Sequence, residues 1–187
     1  MSEPAIEHRR VKVLFSAEEI ARRNAELAAE IAQSQPKDLL VVAVLKGSFM
    51  FAADLMRALH HAGLMPQVEF MHLSSYRDAT VSSGQVVILK DVESDVRDRD
   101  VILIDDILES GRTIAFAKDL LAARGARVLT CCLLEKPGKR AVSVKADFVG
   151  FTCPDLFVVG YGMDVAHSYR QLPFIGVVEM ENELPSD

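Results

Sequence analysis

Residues 101–113 read VILIDDILESGRT. Four apolar residues run into the adjacent aspartates Asp105 and Asp106, and Glu109, Ser110, Gly111, Arg112 and Thr113 follow within one short stretch. A uniformly apolar, β-branched run of this kind is how a strand covered on both faces reads, because neither side tolerates a polar residue. From Thr113 to Arg124 the apolar positions Ile114, Ala117, Leu120 and Leu121 share one helical face, and Gly125 provides a stop. The stretch predicts strand, loop, helix, with the polar cluster in the loop.

That order has chemical consequences. The loop feeds a helix N-terminus, where free N–H groups and the helix dipole favour an anion. Gly111 lets the backbone approach a ligand, Ser110 and Thr113 offer hydroxyls, and Arg112 adds positive charge. This is phosphate chemistry, yet Asp105 and Asp106 repel phosphate unless they face ligand hydroxyls or a divalent cation lies between. Magnesium commonly bridges carboxylates and phosphates. The ligand described is phosphorylated at one end with a hydroxylated, metal-chelated middle, such as a ribose phosphate bearing a diphosphate. The plainer alternative is a solvated acidic pair with helix-capping duty. No Walker loop occurs, and Gly160-Tyr161-Gly162 has Val165 where a dinucleotide fingerprint needs a third glycine.

Working outward, Leu39 to Leu45 reads as a second buried strand, broken by Lys46-Gly47-Ser48, and Phe49 to His61 as a helix stopped by Gly63. Ser16 and Glu19 form a capping-box pattern before a helix whose apolar face is Ile20, Leu27 and Ile31. Val11–Phe15, Val68–Leu73, Val86–Leu89, Val128–Leu134, Phe148–Phe151, Phe157–Val159 and Ile175–Val178 supply further strands. Residues 74–85 are polar without periodicity and predict a mobile loop. Alternating strands and helices predict an α/β fold with a largely parallel sheet, in one domain spanning 1–187. In such sheets ligands bind at the carboxyl ends of strands. Lys46-Gly47, Asp105 to Thr113, and Lys136 all fall at such ends.

The chain has 187 residues, 50% of them hydrophobic and 26% charged, with a formal net charge of −6. That balance argues against nonspecific nucleic-acid or anionic-membrane binding. The longest apolar run is far short of the ~20 residues a membrane helix needs. Three cysteines in apolar surroundings form no metal or disulfide pattern, and MSEPAIEHRR has no hydrophobic signal core. The expectation is a cytoplasmic protein. His60, His61, His72 and His167 show no metal spacing and read as structural or surface residues.

The opening stretch resembles the phosphoribosyl-diphosphate (PRPP) motif of the type I phosphoribosyltransferases. Leu45-Lys46-Gly47, LSSY at 73–76, Lys136, DFVGF at 147–151, PDLFVVGYGMD at 154–164 and YRQLP at 169–173 resemble, in order and spacing, the hypoxanthine-guanine phosphoribosyltransferases. The similarity covers most of residues 39–178. It implies the type I phosphoribosyltransferase fold: a twisted sheet flanked by helices, with a small hood from the terminal segments. It implies a pentosyltransferase of purine salvage that joins hypoxanthine or guanine to PRPP with Mg2+, giving IMP or GMP and diphosphate. It also implies a homodimer or homotetramer.

Carried over by position, Asp105 and Asp106 would engage the ribose hydroxyls and a magnesium ion, and Ser110, Gly111, Arg112 and Thr113 the 5′-phosphate. Lys46, Gly47 and Arg170 would meet the diphosphate, with a cis peptide before Lys46. Lys136 would donate to the purine 6-oxo group, Phe157 would stack on the base, and the Val158 backbone would read its edge. Asp164 would help hold a second magnesium, partly through water. Ser75 and Tyr76 would belong to the mobile loop. Glu109 stands where the family usually has aspartate as proton acceptor near purine N7. It keeps the carboxylate but adds a methylene.

Each residue alone has a plainer reading: Lys136 as a solvated turn lysine, Phe157 as core, Asp164 as a turn cap, Arg170 in a surface ion pair, Tyr76 as a loop tyrosine. A non-catalytic regulator that retains a PRPP site and binds nucleic acid would need a basic surface, against which the net charge of −6 weighs. A third reading is a pyrimidine or xanthine transferase; Lys136 and the Phe157-Val158 pair favour a 6-oxopurine, and base competition would separate these readings.

Overall fold

The computed structural model describes residues 10–75 and 86–179. The elements in chain order are β1 (Val11–Phe15), α1 (Ala17–Gln33), β2 (Leu40–Leu45), α2 (Phe49–His61), β3 (Gln67–Ser75), β4 (Val86–Lys90), β5 (Asp100–Leu108), α3 (Arg112–Ala123), β6 (Arg127–Glu135), β7 (Phe148–Thr152), β8 (Val158–Val159) and β9 (Ile175–Val178). A single 3₁₀ turn, Pro137–Lys139, follows β6.

The main sheet has the order β4-β3-β2-β5-β6-β7. Every neighbouring pair is parallel except β3 with β4. β2 shows why both-face burial erases alternation. Val41 and Ala43 pack with Leu27 and Ile31 of α1 and with Phe51, Leu55 and Leu59 of α2. Leu40, Val42 and Val44 point the other way and pack with Ile114, Ala117 and Leu121 of α3. The hood is a three-stranded antiparallel sheet, β1-β9-β8, built from both ends of the chain.

Helix α1 starts as its sequence dictates. The Ser16 hydroxyl accepts from the Glu19 N–H at 3.2 Å, and the Glu19 carboxylate accepts from the Ser16 N–H at 2.8 Å. This reciprocal pairing satisfies two N–H groups at the start of the helix.

The chain passes from β2 through α2 to β3 on one side, then returns to place β5 on the other side of β2. The strand order reverses between β2 and β5, and α2 and α3 lie on opposite sheet faces. A crevice opens at the carboxyl ends of strands at such a switch point. β2 delivers Lys46-Gly47 there, and β5 delivers Asp105 and Asp106.

Several boundaries differ from the sequence expectation. β5 runs to Leu108, so Asp105 and Asp106 lie in the strand and not in a loop. Pairing with β6 holds them there, with Asp105 opposite Cys132 and Leu108 opposite Glu135. Helix α3 begins at Arg112, one residue early. Ser74 and Ser75, expected in the mobile loop, end β3 and pair with Val87 and Val86. The rest of that expected loop, including Tyr76, lies outside the described residues. Phe157 precedes β8, whose pairing with β9 begins only at Val158 opposite Val177.

Candidate active site

A cleft of about 370 Å³ occupies the switch point, lined by Lys46, Gly47, Asp105, Asp106, Glu109 and the turn through Ser110, Gly111 and Thr113. The Leu45–Lys46 peptide is cis. Gly111 is the N-cap of α3 with φ +82°. The N-cap glycine offers that helix end no side chain, which leaves N–H groups of its first turn available to an anion. Glycine is required at 111 twice over: the positive φ disfavours a side chain, and a Cβ would meet Val144 and Val142. The Arg112 side chain is exposed, while its N–H lies 3.4 Å from the Ser110 hydroxyl.

The acidic pair is the electrostatic centre of the cleft. Asp105 is 7% exposed. Burial, then the negative charge of Asp106, push its carboxyl well above the usual aspartate range. Burial also raises Asp106, opposed by hydrogen bonds and by the positive charge of Arg170. Among the described residues no lysine or arginine lies in ion-pair contact with either carboxylate. Gly47 is packed directly on Asp106, and a Cβ at 47 would collide with that carboxylate. The loop after β2 and the acids of β5 therefore fit together only with glycine between them.

A second cleft of about 360 Å³ lies at the end of β6, lined by Lys136, Pro137, Gly138, Lys139, Thr152, Cys153, Pro154 and Asp155. Lys136 is buried, and its ammonium donates to the Leu156 carbonyl at 2.7 Å. Glu109 joins the two clefts: it lines the first, and its carboxylate lies 3.8 Å from both Lys136 and Lys139. Lys139 also pairs with Asp155 at 2.7 Å. Val158 is buried within the hood sheet, whereas Phe157 is 63% exposed beside it. The expected purine group thus divides into buried Lys136 and Val158 and a free aromatic face at Phe157.

Arg170 and Asp164 form a pair on the hood side, Nη2 to Oδ1 at 2.9 Å. The other Asp164 oxygen accepts from the His167 N–H at 2.9 Å, so this carboxylate does cap a turn as well. The Arg170 guanidinium also donates to the Gly162 carbonyl at 2.6 Å.

Three residues went unread in the sequence. Arg140 donates to the carbonyls of Leu108 and Glu109 at 3.0 and 2.9 Å and to Glu135 at 2.7 Å, bracing the strand end that carries Glu109. Lys139 reaches Glu109 from the 3₁₀ turn. Tyr161 is buried, and its hydroxyl donates to Asp54 at 2.7 Å and accepts from the Asn24 amide at 2.9 Å. The two glycines flanking Tyr161 were the available signal, since they mark a turn that glycine alone adopts readily.

The chain belongs to the phosphoribosyltransferase family: the phosphoribosyl transferase domain matches residues 11–166. Among its relatives, the hypoxanthine-guanine phosphoribosyltransferase of Bacillus subtilis (strain 168) is 45% identical over 170 residues, covering 90% of this chain and 93% of the relative. The hypoxanthine phosphoribosyltransferase of Escherichia coli (strain K12) is 41% identical over 177 residues, covering 92% and 98%. A crystal structure of a hypoxanthine phosphoribosyltransferase from Staphylococcus aureus superposes with a TM-score of 0.84 at 39% identity, over 90% of this chain and 91% of that one.

Proposed function

We propose that the protein transfers the 5-phosphoribosyl group of PRPP to hypoxanthine or guanine, forming IMP or GMP and diphosphate in purine salvage. The observation that carries this reading is the position of Glu109. One carboxylate borders the cleft that holds the acidic pair and the phosphate-type turn and also, through Lys136, the lysine-lined cleft at the end of β6.

Breaking the bond from C1′ to the diphosphate builds positive charge on the ribose and negative charge on the leaving group. Lys46, the Gly47 backbone and Arg170 receive the diphosphate, where electrostatic stabilisation grows as the bond breaks. Ser110, Gly111, Arg112 and Thr113 hold the 5′-phosphate at the α3 N-terminus. Asp105 and Asp106 orient the ribose hydroxyls and favour a cationic ring. Lys136 exchanges the Leu156 carbonyl for the purine 6-oxo group, Phe157 stacks on the ring, and the Val158 backbone contacts its edge. Glu109 accepts the proton that the base must lose as its nitrogen attacks.

The residues present also fit a divalent cation. Asp105 and Asp106 are neighbouring carboxylates whose burial raises both, and no basic side chain among the described residues pairs with them. The described residues contain no cluster of three or more acidic, histidine or cysteine ligands. Magnesium suits such a site, because it typically takes one or two carboxylates and completes its shell with water and phosphate oxygens. Asp105 and Asp106 would hold one such ion, Asp164 would help hold a second, partly through water, and bound magnesium would neutralise charge on the diphosphate.

A homodimer or homotetramer is supported by apolar side chains left exposed on β3 and β4: Val68, Phe70, Val87 and Leu89. Free, buried Cys131, Cys132 and Cys153 support a reducing, cytoplasmic setting. The deciding experiment is turnover of PRPP and magnesium with hypoxanthine, guanine, xanthine, adenine and uracil in parallel. Conversion of hypoxanthine or guanine is the expected result. PRPP binding without turnover of any base would replace the enzyme with a regulator.

A further inference from the structure

The diphosphate end of the site is held from two directions, and both lead to one phenol. Residues 160–162 adopt three successive positive φ values: +93° at Gly160, +48° at Tyr161 and +98° at Gly162. Glycine accepts such backbone readily, but tyrosine does so only where its surroundings hold it. Here they do. The Tyr161 N–H donates to the Leu172 carbonyl at 2.8 Å, and the ring is buried. The hydroxyl donates to Asp54 of α2 and accepts from Asn24 of α1. The Asn24 side-chain oxygen is buried without a partner among the described residues, so the bond to Tyr161 is its amide's only observed side-chain anchor.

From this anchor the turn reaches both parts of the diphosphate site. The Gly162 N–H donates to the Arg170 carbonyl at 3.0 Å, and the Gly162 carbonyl accepts from the Arg170 guanidinium at 2.6 Å. Arg170 is thus gripped by backbone and side chain at once. Gly162 also lies against the Gly47 carbonyl, with no room for a Cβ between them. On the other side, Asp54 sits in α2, which begins at Phe49 immediately after Lys46-Gly47-Ser48. The phenol therefore spans from the helix that follows the diphosphate loop to the turn that aims Arg170.

We propose that Tyr161 is a positioning residue for diphosphate: its hydroxyl, bound to Asp54 and Asn24, sets the 160–162 turn that places Arg170 and the Lys46-Gly47 loop on the two sides of the leaving group. This rests on the PRPP site proposed above. Burial and the Asp54 carboxylate both raise the phenol's pKa, so the donor persists across the working pH range.

The test compares Tyr161→Phe, Asp54→Ala and Asp54→Asn with the wild-type chain. Phenylalanine keeps the ring and removes the hydroxyl, and asparagine at 54 keeps an acceptor oxygen. Expected for Tyr161→Phe and Asp54→Ala are a roughly fivefold or larger rise in PRPP KM and a matching loss of diphosphate affinity. The KM for hypoxanthine should stay within about twofold, and Asp54→Asn should return PRPP KM towards wild type. Equal changes in both KM values, or a lowered Tm with neither KM changed, would make Tyr161 purely structural and overturn the proposal. Calorimetric titration with magnesium diphosphate reads the same contrast without turnover. If the wild type fails to convert any base, the functional reading falls while this titration still decides the role of Tyr161.

Discussion

The proposed PRPP site has two walls, one for sugar and phosphate and one from the hood, and they are organised differently. The sugar-phosphate wall comes from one continuous stretch: β5 supplies Asp105 and Asp106, the next residues supply Glu109 and the phosphate turn, and α3 begins at Arg112. The hood wall is assembled at a distance. Tyr161 bonds to residues 107 and 137 positions earlier in the chain, and Arg170 acts through a turn eight residues before it. A contiguous wall depends on local backbone geometry, whereas an assembled wall depends on packing between elements. Substitutions in the first should damage chemistry directly. Substitutions in the second should shift binding of one substrate part while leaving chemistry nearly intact.

The sharpest break of this contrast is Glu109→Gln. The amide keeps size and hydrogen bonding but removes the carboxylate proposed to accept the proton. The expected loss in kcat is about 10²–10⁴-fold, with little change in Tm, measured in steady-state turnover and by calorimetry. Survival of turnover would move the proton elsewhere in the site.

Gly47→Ala probes the seam between the walls. The added methyl collides with Asp106, so the loop must retreat from the acids. A displacement near 1 Å in such a site costs on the order of 100-fold in kcat/KM. Loss of diphosphate affinity alongside it would place the damage at the seam. An unchanged kcat/KM would mean that the loop and Asp106 need not touch.

Arg140→Ala tests whether the contiguous wall needs outside support. Removing the guanidinium frees the Glu109 carbonyl, leaves the Leu108 carbonyl with only the Lys136 N–H, and leaves Glu135 without its ion pair. A fall in kcat of about 10-fold is expected, smaller than that of Glu109→Gln because the carboxylate remains nearby. Arg140→Lys should recover only part, since one ammonium does not reproduce a planar fork.

How well each wall could be read follows from the same difference. The sugar-phosphate wall was legible because its residue types are adjacent and a buried strand announces itself by an unbroken apolar run. Even so, the strand was ended too early. A charged residue looks like a strand's end, but β6 keeps pairing with β5 past both aspartates to Leu108. Lys136 and Val158 were legible through order and spacing, and Phe157 was misplaced by one residue because β8 starts only where β9 offers a partner. Arg140 left no trace, because its partners are mainly backbone carbonyls, which carry no residue identity. Tyr161 left half a trace: the glycines around it mark a turn, but Asp54 and Asn24 come near only when α1 and α2 pack together.

The smallest effect concerns stability and isolates the acidic pair. In the folded protein Asp105 holds its proton more tightly than an exposed aspartate, through burial and the charge of Asp106. Between the ordinary aspartate range and that raised value, the native state binds more protons than the unfolded chain. Stability therefore falls as pH rises through this window, and the deficit persists at neutral pH. Asp105→Asn removes the charge and hence the deficit. The ligand-free variant should melt higher than wild type near pH 7, by about 2–4 °C for each kcal/mol relieved, and the gap should close in acid. Magnesium with PRPP should raise the wild-type Tm more than the variant's, because ligand binding stabilises only the form that retains the site. A variant that melts lower than wild type at neutral pH would mean that the hydrogen bond from the Asp106 N–H to the Asp105 carboxylate outweighs the repulsion between the acids. Calorimetric scans across pH, with and without ligand, decide between these outcomes.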